Sequence, residues 1–289
     1  MNYEIKNEHI KAKIKSFGAE LNSLQKIDEN LEYMWQGDSK YWNRHSPILF
    51  PIVGRLKNDS YTYQNQKYNM TQHGFARDKE FELVSNETDF VEFRLCSDEK
   101  TLEIYPFSFE LYLSYKLEKN SLIVSYKVIN KSDDKMLFSI GAHPAFNWTL
   151  KENEKKEDYF LEFENIKETK RYFLNDKGLV YKHEDLKITD NKIALNEELF
   201  KNDALVFNDL NIKTLTLKNL NNENFIKLNF ENFPYLGIWS KPSGAPFICV
   251  EPWLGVADEI GTNQKFEEKT AILKLKKDEI FEASYSIEI

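Results

Sequence analysis

Residues 281–289 read Phe-Glu-Ala-Ser-Tyr-Ser-Ile-Glu-Ile, and they show the fold class of this chain most clearly. Apolar side chains occupy every second position, and mostly polar side chains occupy the positions between them. Successive side chains of a β-strand point to opposite faces, so the pattern is typical of a strand with one buried and one solvated face. Because antiparallel sheets commonly have such faces, the stretch predicts an antiparallel sheet.

The same alternation recurs along the chain, at residues 10–15, 109–117, 121–129, 215–217 and 226–230. Helical periodicity is scarce, and we predict only one short helix over residues 196–203, with Asn196 as its N-cap. There is no strand–helix alternation, internal repeat or linker, and the Lys-rich residues 151–158 are predicted as a surface loop. We therefore predict an all-β protein, a large antiparallel β-sandwich formed by residues 1–289 as a single domain.

The composition excludes several classes of partner. The chain has 289 residues and a net charge of −8, which argues against nucleic acid and against anionic membrane surfaces as partners. The first residues contain no apolar signal segment, and no apolar stretch is long enough to span a membrane. We therefore expect a cytoplasmic protein. The two cysteines, Cys96 and Cys249, do not suggest a disulfide framework and are predicted to be small buried side chains.

Many sequence signatures of catalysis are absent. The chain has no glycine-rich phosphate loop, no dinucleotide fingerprint, no Cys-x-x-Cys pair and no His-Glu-x-x-His helix. His45, His73 and His143 are the residues that a three-histidine zinc site would use, but ligand spacing and supporting carboxylates are not evident. We therefore expect neither a metal nor a cofactor.

Four segments depart from the strand pattern and are the candidate functional segments. They are residues 44–57 (Arg-His-Ser-Pro-Ile-Leu-Phe-Pro-Ile-Val-Gly-Arg-Leu-Lys), 72–78 (Gln-His-Gly-Phe-Ala-Arg-Asp), 140–147 (Ile-Gly-Ala-His-Pro-Ala-Phe-Asn) and 247–258 (Phe-Ile-Cys-Val-Glu-Pro-Trp-Leu-Gly-Val-Ala-Asp). In the last two segments an apolar run is followed by His143-Pro144 and by Glu251-Pro252. A residue before proline is held extended, so we predict that both side chains lie at strand ends in fixed geometry. An imidazole and a partly desolvated carboxylate are the groups that general acid–base catalysis requires.

Structural roles compete with these functional ones. A histidine at a strand end often serves the structure alone, and Glu-Pro is common in turns. Trp42, Phe146 and Trp253 are candidates either for stacking on a sugar ring or for packing in the core. Gly74 is predicted to let a ligand approach the backbone beside His73. The remaining histidines, at positions 9 and 183, are predicted to be exposed.

Taken together and in this order, the four segments resemble the aldose 1-epimerase (galactose mutarotase) family, and its LacX-type branch in particular. The resemblance extends from residues 17–21 (Phe-Gly-Ala-Glu-Leu) to the final strand. It rests most on His-Gly-Phe-Ala-Arg, Gly-Ala-His-Pro-Ala-Phe-Asn and the Glu-Pro-Trp segment. The family fold is a large antiparallel β-sandwich, in agreement with the periodicity.

The resemblance implies a role for each matching residue. Glu251 matches the general base that removes the proton from the anomeric hydroxyl O1, and His143 matches the general acid that protonates the ring oxygen O5. His73 and Arg55 match substrate-binding residues, and Asp203 resembles a sugar-binding aspartate of the family. The expected partner is a small sugar; the resemblance gives no oligomeric state.

Three readings remain open for the function. The first is a mutarotase of free aldoses. The second is a hexose-6-phosphate 1-epimerase, in which Arg77, Arg55 and Lys57 would supply phosphate contacts. The third is a non-catalytic carbohydrate-binding protein on the same fold, which would not need both His143 and Glu251. A glycoside hydrolase is disfavoured because no second acid has a comparable setting.

Overall fold

The structure, a computed structural model, describes residues 1–164, 166, 168–208, 212–242 and 244–289. Most of the described residues lie in β-strands. In chain order these are β1 (Asn2–Lys6), β2 (Ile10–Lys15), β3 (Glu20–Lys26), β4 (Leu31–Glu32), β5 (Ser60–Tyr63), β6 (Gln66–Asn69), β7 (Glu82–Asn86), β8 (Phe90–Cys96), β9 (Phe109–Glu118), β10 (Ser121–Asn130), β11 (Met136–Phe138), β12 (Ile140–Gly141), β13 (Ala145–Asn147), β14 (Tyr159–Phe163), β15 (Thr169–Leu174), β16 (Val180–Leu186), β17 (Lys192–Ala194), β18 (Leu205–Asn208), β19 (Thr214–Asn219), β20 (Phe225–Asn229), β21 (Tyr235–Trp239), β22 (Phe247–Leu254), β23 (Leu273–Leu275) and β24 (Ile280–Glu288).

Helices are short and few among the described residues. The α-helix α1 is Glu99–Ile104, and Asp98 and Thr101 form a capping box at its start. The 3-10 helices are Lys57–Asp59, Ala76–Asp78, Lys156–Asp158, Thr189–Asn191, Glu197–Phe200 and Phe266–Glu268. None of the described helices is long and apolar enough to cross a membrane.

The predicted helix over residues 196–203 is present only in part. A 3-10 helix covers Glu197–Phe200, and the backbone N–H of Leu199 donates to the side chain of Asn196 at 3.2 Å. The prediction is therefore confirmed for the cap and wrong for the length. At Asp203 the backbone has a positive φ of 71°, which a helix does not accommodate.

The predicted antiparallel β-sandwich is confirmed. Among the described residues the largest sheet has nine strands in the order β17-β14-β19-β20-β24-β10-β9-β8-β7, and a second sheet has the order β12-β22-β21-β18-β15-β16, with β13 also paired to β22. The stretch at 281–289 belongs to β24, whose register pairs Tyr285 with Val124 of β10. Its alternation arises because one face packs in the core and the other faces solvent.

One large cluster of buried apolar side chains lies between the sheets. It includes residues from Ile5 near the start of the chain to Ile289 at its end. Leu113 and Val124 reach it from the nine-stranded sheet, and Ile238 reaches it from β21. The extent of this cluster supports the prediction of a single domain, which stays a prediction.

Candidate active site

Strand β22 divides its side chains between the core and a cavity. Ile248 and Val250 belong to the main core, whereas Cys249 and Trp253 belong to smaller clusters on the opposite face of the sheet. Glu251 lies between these two residues on the same face of β22 and lines a cavity of about 310 Å³ there. The strand therefore holds Glu251 on a rigid, fully buried element and directs it away from the core.

The prediction that Pro252 ends this strand is wrong. Strand β22 continues through Pro252 to Leu254, and Pro252 pairs with Leu236 of β21. On the other side of β22, the backbone N–H of Ala142 donates to the carbonyl of Pro252 at 3.0 Å. The nitrogen of Pro252 faces the same side of β22, at the gap between the end of β12 and the start of β13. Because no ladder partner requires an N–H there, the strand accommodates the proline.

His143 lies in that break between β12 and β13. The break brings its imidazole against the side chain of Glu251, with Nε2 of His143 at 3.3 Å from Oε2 of Glu251. Both side chains are buried, with 9% and 2% of their surface exposed. Neither Nδ1 of His143 nor Oε2 of Glu251 has a hydrogen-bond partner among the described residues. Each group thus retains hydrogen-bonding capacity for a bound molecule.

Burial shifts the proton affinities of the two groups in opposite directions. Desolvation, together with the nearby charge of Asp203, raises the pKa of Glu251 well above its ordinary 4.5. Desolvation, together with the charge of Arg77, lowers the pKa of His143 to about 3. The two shifts therefore favour a pair that holds one proton, on the carboxyl side.

His73 lies next to this pair. Its ring centroid is 5.7 Å from that of His143, and its Nδ1 accepts a hydrogen bond from the backbone N–H of Gly54 at 3.1 Å. Burial and the charge of His143 lower the pKa of His73 well below its ordinary value. Because Nδ1 accepts, the neutral ring carries its proton on Nε2.

Gly74 has a different role from the one that the sequence suggested. A Cβ atom at this position would lie 2.3 Å from the carbonyl oxygen of Phe50, and the backbone φ is +70°. The glycine is therefore required by the close packing of two backbone segments.

Asp203 and Arg77 also line the cavity, as does Gln72. Nη2 of Arg77 donates to the backbone carbonyl of Gln72 at 2.7 Å, while its buried Nε has no hydrogen-bond partner among the described residues. Burial lowers the pKa of this guanidinium to about 10. Oδ1 of Asp203 accepts from the backbone N–H of Ala204 at 2.8 Å, which fixes the carboxylate at the cavity wall.

Arg55 is not among the residues that line the cavity. Its guanidinium forms a two-point ion pair with Asp59, with Nε–Oδ1 at 2.7 Å and Nη2–Oδ2 at 2.8 Å, and about two fifths of each side chain is exposed. The structure therefore brings Glu251, His143, His73, Asp203 and Arg77 together and leaves Arg55 outside. Substrate binding by Arg55 stays a prediction, and it requires Arg55 to exchange Asp59 for the substrate.

Aromatic rings form the walls beside the pair. Trp42 stacks on His143 with centroids 4.9 Å apart, and Trp239 meets the same imidazole edge-on at 5.8 Å. Trp253 lines the cavity, but Phe146 is fully buried in the main core and cannot reach a ligand. Sequence reasoning missed Trp239 and Gln72. For Gln72 a signal was available, since it begins the segment that contains His73.

The residues that could hold a metal differ from those considered in the sequence. His45 does not line this cavity, so the three histidines do not form a site. Among the described residues, one group has its ligand atoms within 4.8 Å of one another: His143, Cys249 and Glu251. Cys249 is buried as predicted, whereas Cys96 is exposed, because it is the last residue of β8 and points outward.

A larger concavity of about 620 Å³ lies over strands β10, β20 and β24. Its lining contains serines, asparagines and acids but no histidine. An imidazole and a carboxyl group converge only in the smaller cavity of these two, so we take the smaller cavity as the candidate active site.

Comparison with known proteins agrees with this fold. The family model for aldose 1-epimerase matches residues 1–274, so the chain belongs to the aldose 1-epimerase family. Protein LacX of Lactococcus lactis subsp. lactis, in its plasmid and chromosomal forms, is 34% identical over an alignment of 298 positions that covers 100% of this chain and 99% of LacX.

Two solved structures are similar over the whole chain. A galactose mutarotase related enzyme from Lactobacillus acidophilus has 36% identity and a TM-score of 0.96, over 100% of this chain and 97% of that one. A galactose mutarotase-like protein from Lactobacillus casei has 33% identity and a TM-score of 0.93, over 100% of this chain and 99% of that protein. These likenesses cover the strands and loops that build the cavity.

Proposed function

We propose that this protein is an aldose 1-epimerase, an isomerase that interconverts the α and β anomers of an aldose. One observation carries the proposal: a buried imidazole and a buried carboxyl group lie 3.3 Å apart at the cavity. In a cyclic aldose, O1 and O5 are bonded to the same carbon. Two catalytic groups in contact with each other can therefore reach both oxygens at once, which groups far apart could not.

The reaction requires the pair to hold one proton. Glu251 removes the proton from O1 while His143 donates one to O5, and the bond between C1 and O5 breaks. After rotation about the C1–C2 bond, O5 attacks the other face of the carbonyl. His143 then takes the proton back from O5, and Glu251 returns its proton to O1. The cycle thus restores both groups without an external acid or base.

The shifted pKa values bear on how this cycle begins. The shifts favour the single proton on Glu251, and the 3.3 Å gap allows it to pass to Nε2 of His143. Hydrogen bonds from sugar hydroxyl groups favour the charged carboxylate and so replace the solvation that burial removes. We infer that substrate binding produces the carboxylate and imidazolium from which the reaction starts.

The test is to measure anomer interconversion by polarimetry or NMR in Glu251→Gln and His143→Asn. Each change removes a proton-transfer group but keeps most of the shape, so kcat should fall by about 10²–10⁴. His183→Asn and Glu184→Gln are matched controls, because both residues are exposed on β16, and they should leave kcat unchanged. Normal turnover in Glu251→Gln, with its fold confirmed by circular dichroism, would overturn the proposal.

A phosphorylated aldose is the second candidate substrate, and one observation favours it. The guanidinium of Arg77 reaches the cavity, and its Nε lies 3.8 Å from Oδ2 of Asp78 but has no hydrogen-bond partner among the described residues. An anionic group on the sugar would supply that partner, provided that it binds away from the carboxylates of Asp203 and Glu251.

The two substrate classes are separated by Arg77→Gln. If the phosphate contacts Arg77, the phosphorylated sugar should lose about 1.5–3 kcal/mol of binding, and the free sugar much less. Arg94→Gln is the comparison, since Arg94 lies outside the cavity lining, is paired with Glu82 on the nine-stranded sheet and should affect neither substrate. Equal losses on both substrates in Arg77→Gln would assign Arg77 to holding Gln72 in place.

The activity of the wild-type protein decides between the enzyme and the non-catalytic alternative. A carbohydrate-binding protein would bind an aldose without accelerating its mutarotation. Retention of both proton-transfer groups in mutual contact favours the enzyme, because binding alone does not need them.

A further inference from the structure

We propose that the catalytic pair and Cys249 form a binding site for a thiophilic divalent metal ion such as Zn²⁺, and that this ion inhibits the enzyme. The inference rests on the proposed function for its effect on turnover, but not for the binding itself. Zinc is bound in proteins by cysteine sulfur, histidine nitrogen and carboxylate oxygen, and these three ligand types converge here.

The positions of the three side chains follow from the sheet. Cys249 and Glu251 are two residues apart on β22, so they project from the same face of the strand. His143 comes from the break in the neighbouring strands and lies against Glu251. All three residues are buried, and Cys249 and Glu251 lie within one strand, so little ordering is required before an ion binds.

The distances fit a small ion after a modest movement. Ligand atoms around a tetrahedral zinc are roughly 3.4–3.7 Å apart, as its bond lengths of about 2.0–2.3 Å require. The nitrogen and oxygen of His143 and Glu251 are already 3.3 Å apart. No pair in the group exceeds 4.8 Å, so closure around an ion requires the thiol to approach by about an ångström.

The hydrogen bonding of the cluster favours a ligand. Oε2 of Glu251 is buried and has no hydrogen-bond partner among the described residues. An unpartnered buried polar atom costs free energy, and coordination to a cation would recover it. The fourth position of the ion would face the cavity, where water completes the coordination.

Coordination would stop the proposed reaction for a direct reason. The ion takes the lone pairs of the carboxylate and of the imidazole, so neither group can accept or donate the proton of O1 or O5. Cys249 itself has no part in that proton transfer. It therefore separates the two functions: its removal should weaken metal binding and leave catalysis intact.

The chain provides a matched control, because its two cysteines differ in position. Cys249 is buried beside the pair, whereas Cys96 is exposed at the end of β8. The experiment compares wild type, Cys249→Ala and Cys96→Ala after dialysis against a chelator. Anomer interconversion is measured with increasing Zn²⁺, and with Mg²⁺ as a hard cation that prefers oxygen ligands.

We expect Zn²⁺ to inhibit wild type and Cys96→Ala equally, and Mg²⁺ to inhibit neither. Cys249→Ala should retain the basal rate and need at least about 10–100 times more Zn²⁺ for the same inhibition, since the loss of a ligand costs at least as much as the loss of a group supporting one. Inhibition of Cys249→Ala at the wild-type concentration, or activation of wild type by Zn²⁺, would overturn the proposal.

A second measurement does not depend on turnover. Titration of each protein with Cd²⁺ should give a sulfur-to-metal charge-transfer absorption, at one ion per chain, in wild type and Cys96→Ala but not in Cys249→Ala. If the wild type proved inactive, this titration alone would still decide the metal site. An absorption lost in Cys96→Ala, or absent from wild type, would refute it. If Cys249→Ala folds poorly, Cys249→Ser keeps the size of the side chain and serves the same comparison.

Discussion

Glu251 is a carboxyl group whose burial opposes its ionisation, and this places a cost on the folded state. Its pKa is raised well above 4.5 in the folded protein, whereas in the unfolded chain it ionises near that ordinary value. As the pH rises from about 4.5 through the raised pKa, only the unfolded chain releases this proton easily. The stability that comes from burying the neutral acid is therefore present below pH 4.5 and is lost as the pH rises.

Glu251→Gln should therefore be more stable than wild type at neutral and alkaline pH. Glutamine does not ionise, so the difference in free energy of unfolding should be small near pH 4.5 and should grow as the pH rises toward the raised pKa of Glu251. Urea unfolding at several pH values measures it. A difference that stays constant with pH would show that Glu251 is not neutral in the folded empty cavity.

The pair also sets the pH dependence of activity. Turnover requires that the pair hold one proton. Activity is therefore lost when His143 gains a second proton, and it is also lost when Glu251 loses the proton that it holds. The pKa of His143 is lowered to about 3, and that of Glu251 is raised. We therefore expect kcat/KM to stay constant as the pH falls from neutrality to values well below 6.5. The two limits describe the coupled pair. A limb centred on the ordinary histidine pKa of about 6.5 would contradict this arrangement.

At the level of elements, Trp253 lies across the glycines of two neighbouring strands. A Cβ atom on Gly237 of β21 would be 2.6 Å from Cζ2 of Trp253, and one on Gly141 of β12 would be 2.7 Å from its Cδ1. The absence of side chains at these positions lets the indole lie flat on the sheet and form a wall of the cavity.

Gly237→Ala should displace that wall. The added methyl group forces the indole of Trp253 toward the cavity, so we expect KM to rise more than kcat falls, with about 1–3 kcal/mol lost from the free energy of unfolding. Steady-state kinetics and urea unfolding check both. Gly261→Ala is the control, since nothing lies within 4 Å of the added atom there, and it should behave as wild type.

The strands also show which features of the fold and the site could be predicted from the sequence. Alternation correctly predicted β2, β9, β10, β19, β20 and β24, because each has one buried and one solvated face. The end of β22 was not predictable, because the missing N–H of Pro252 is harmless only where two other strands leave a gap. The position of Arg55 depends on Asp59, four residues later, and a motif does not report such a competing ion pair.

For the molecule as a whole, a buried ion pair joins three distant segments beside the cavity. Nζ of Lys269 donates to Oδ1 of Asp258 at 2.9 Å and to the carbonyl of Val256 at 2.7 Å, and Oδ2 of Asp258 accepts from the backbone N–H of Lys57 at 2.9 Å. Only 2% and 5% of the two side chains is exposed. The pair fixes the wall that contains Val256 and Ala257.

Lys269→Met should destabilise the whole fold. It leaves the carboxylate of Asp258 buried without its cation, which costs about 3–5 kcal/mol. Lys277→Met is the control, since it breaks an exposed pair with Asp133 and should produce no measurable loss. Thermal and urea unfolding measure the stability of both variants. Equal losses of stability would mean that Asp258 is neutral or solvated.

Strand β24 lies inside the nine-stranded sheet, between β10 and β20, although it comes late in the chain. Along the chain, 149 residues lie between Asn130, where β10 ends, and Ile280, where β24 begins. During synthesis on the ribosome, the hairpin of β9 and β10 therefore emerges long before its second partner. Its free edge can pair with other nascent chains throughout that interval. A chaperone that covers this edge during translation should accordingly raise the yield of folded protein.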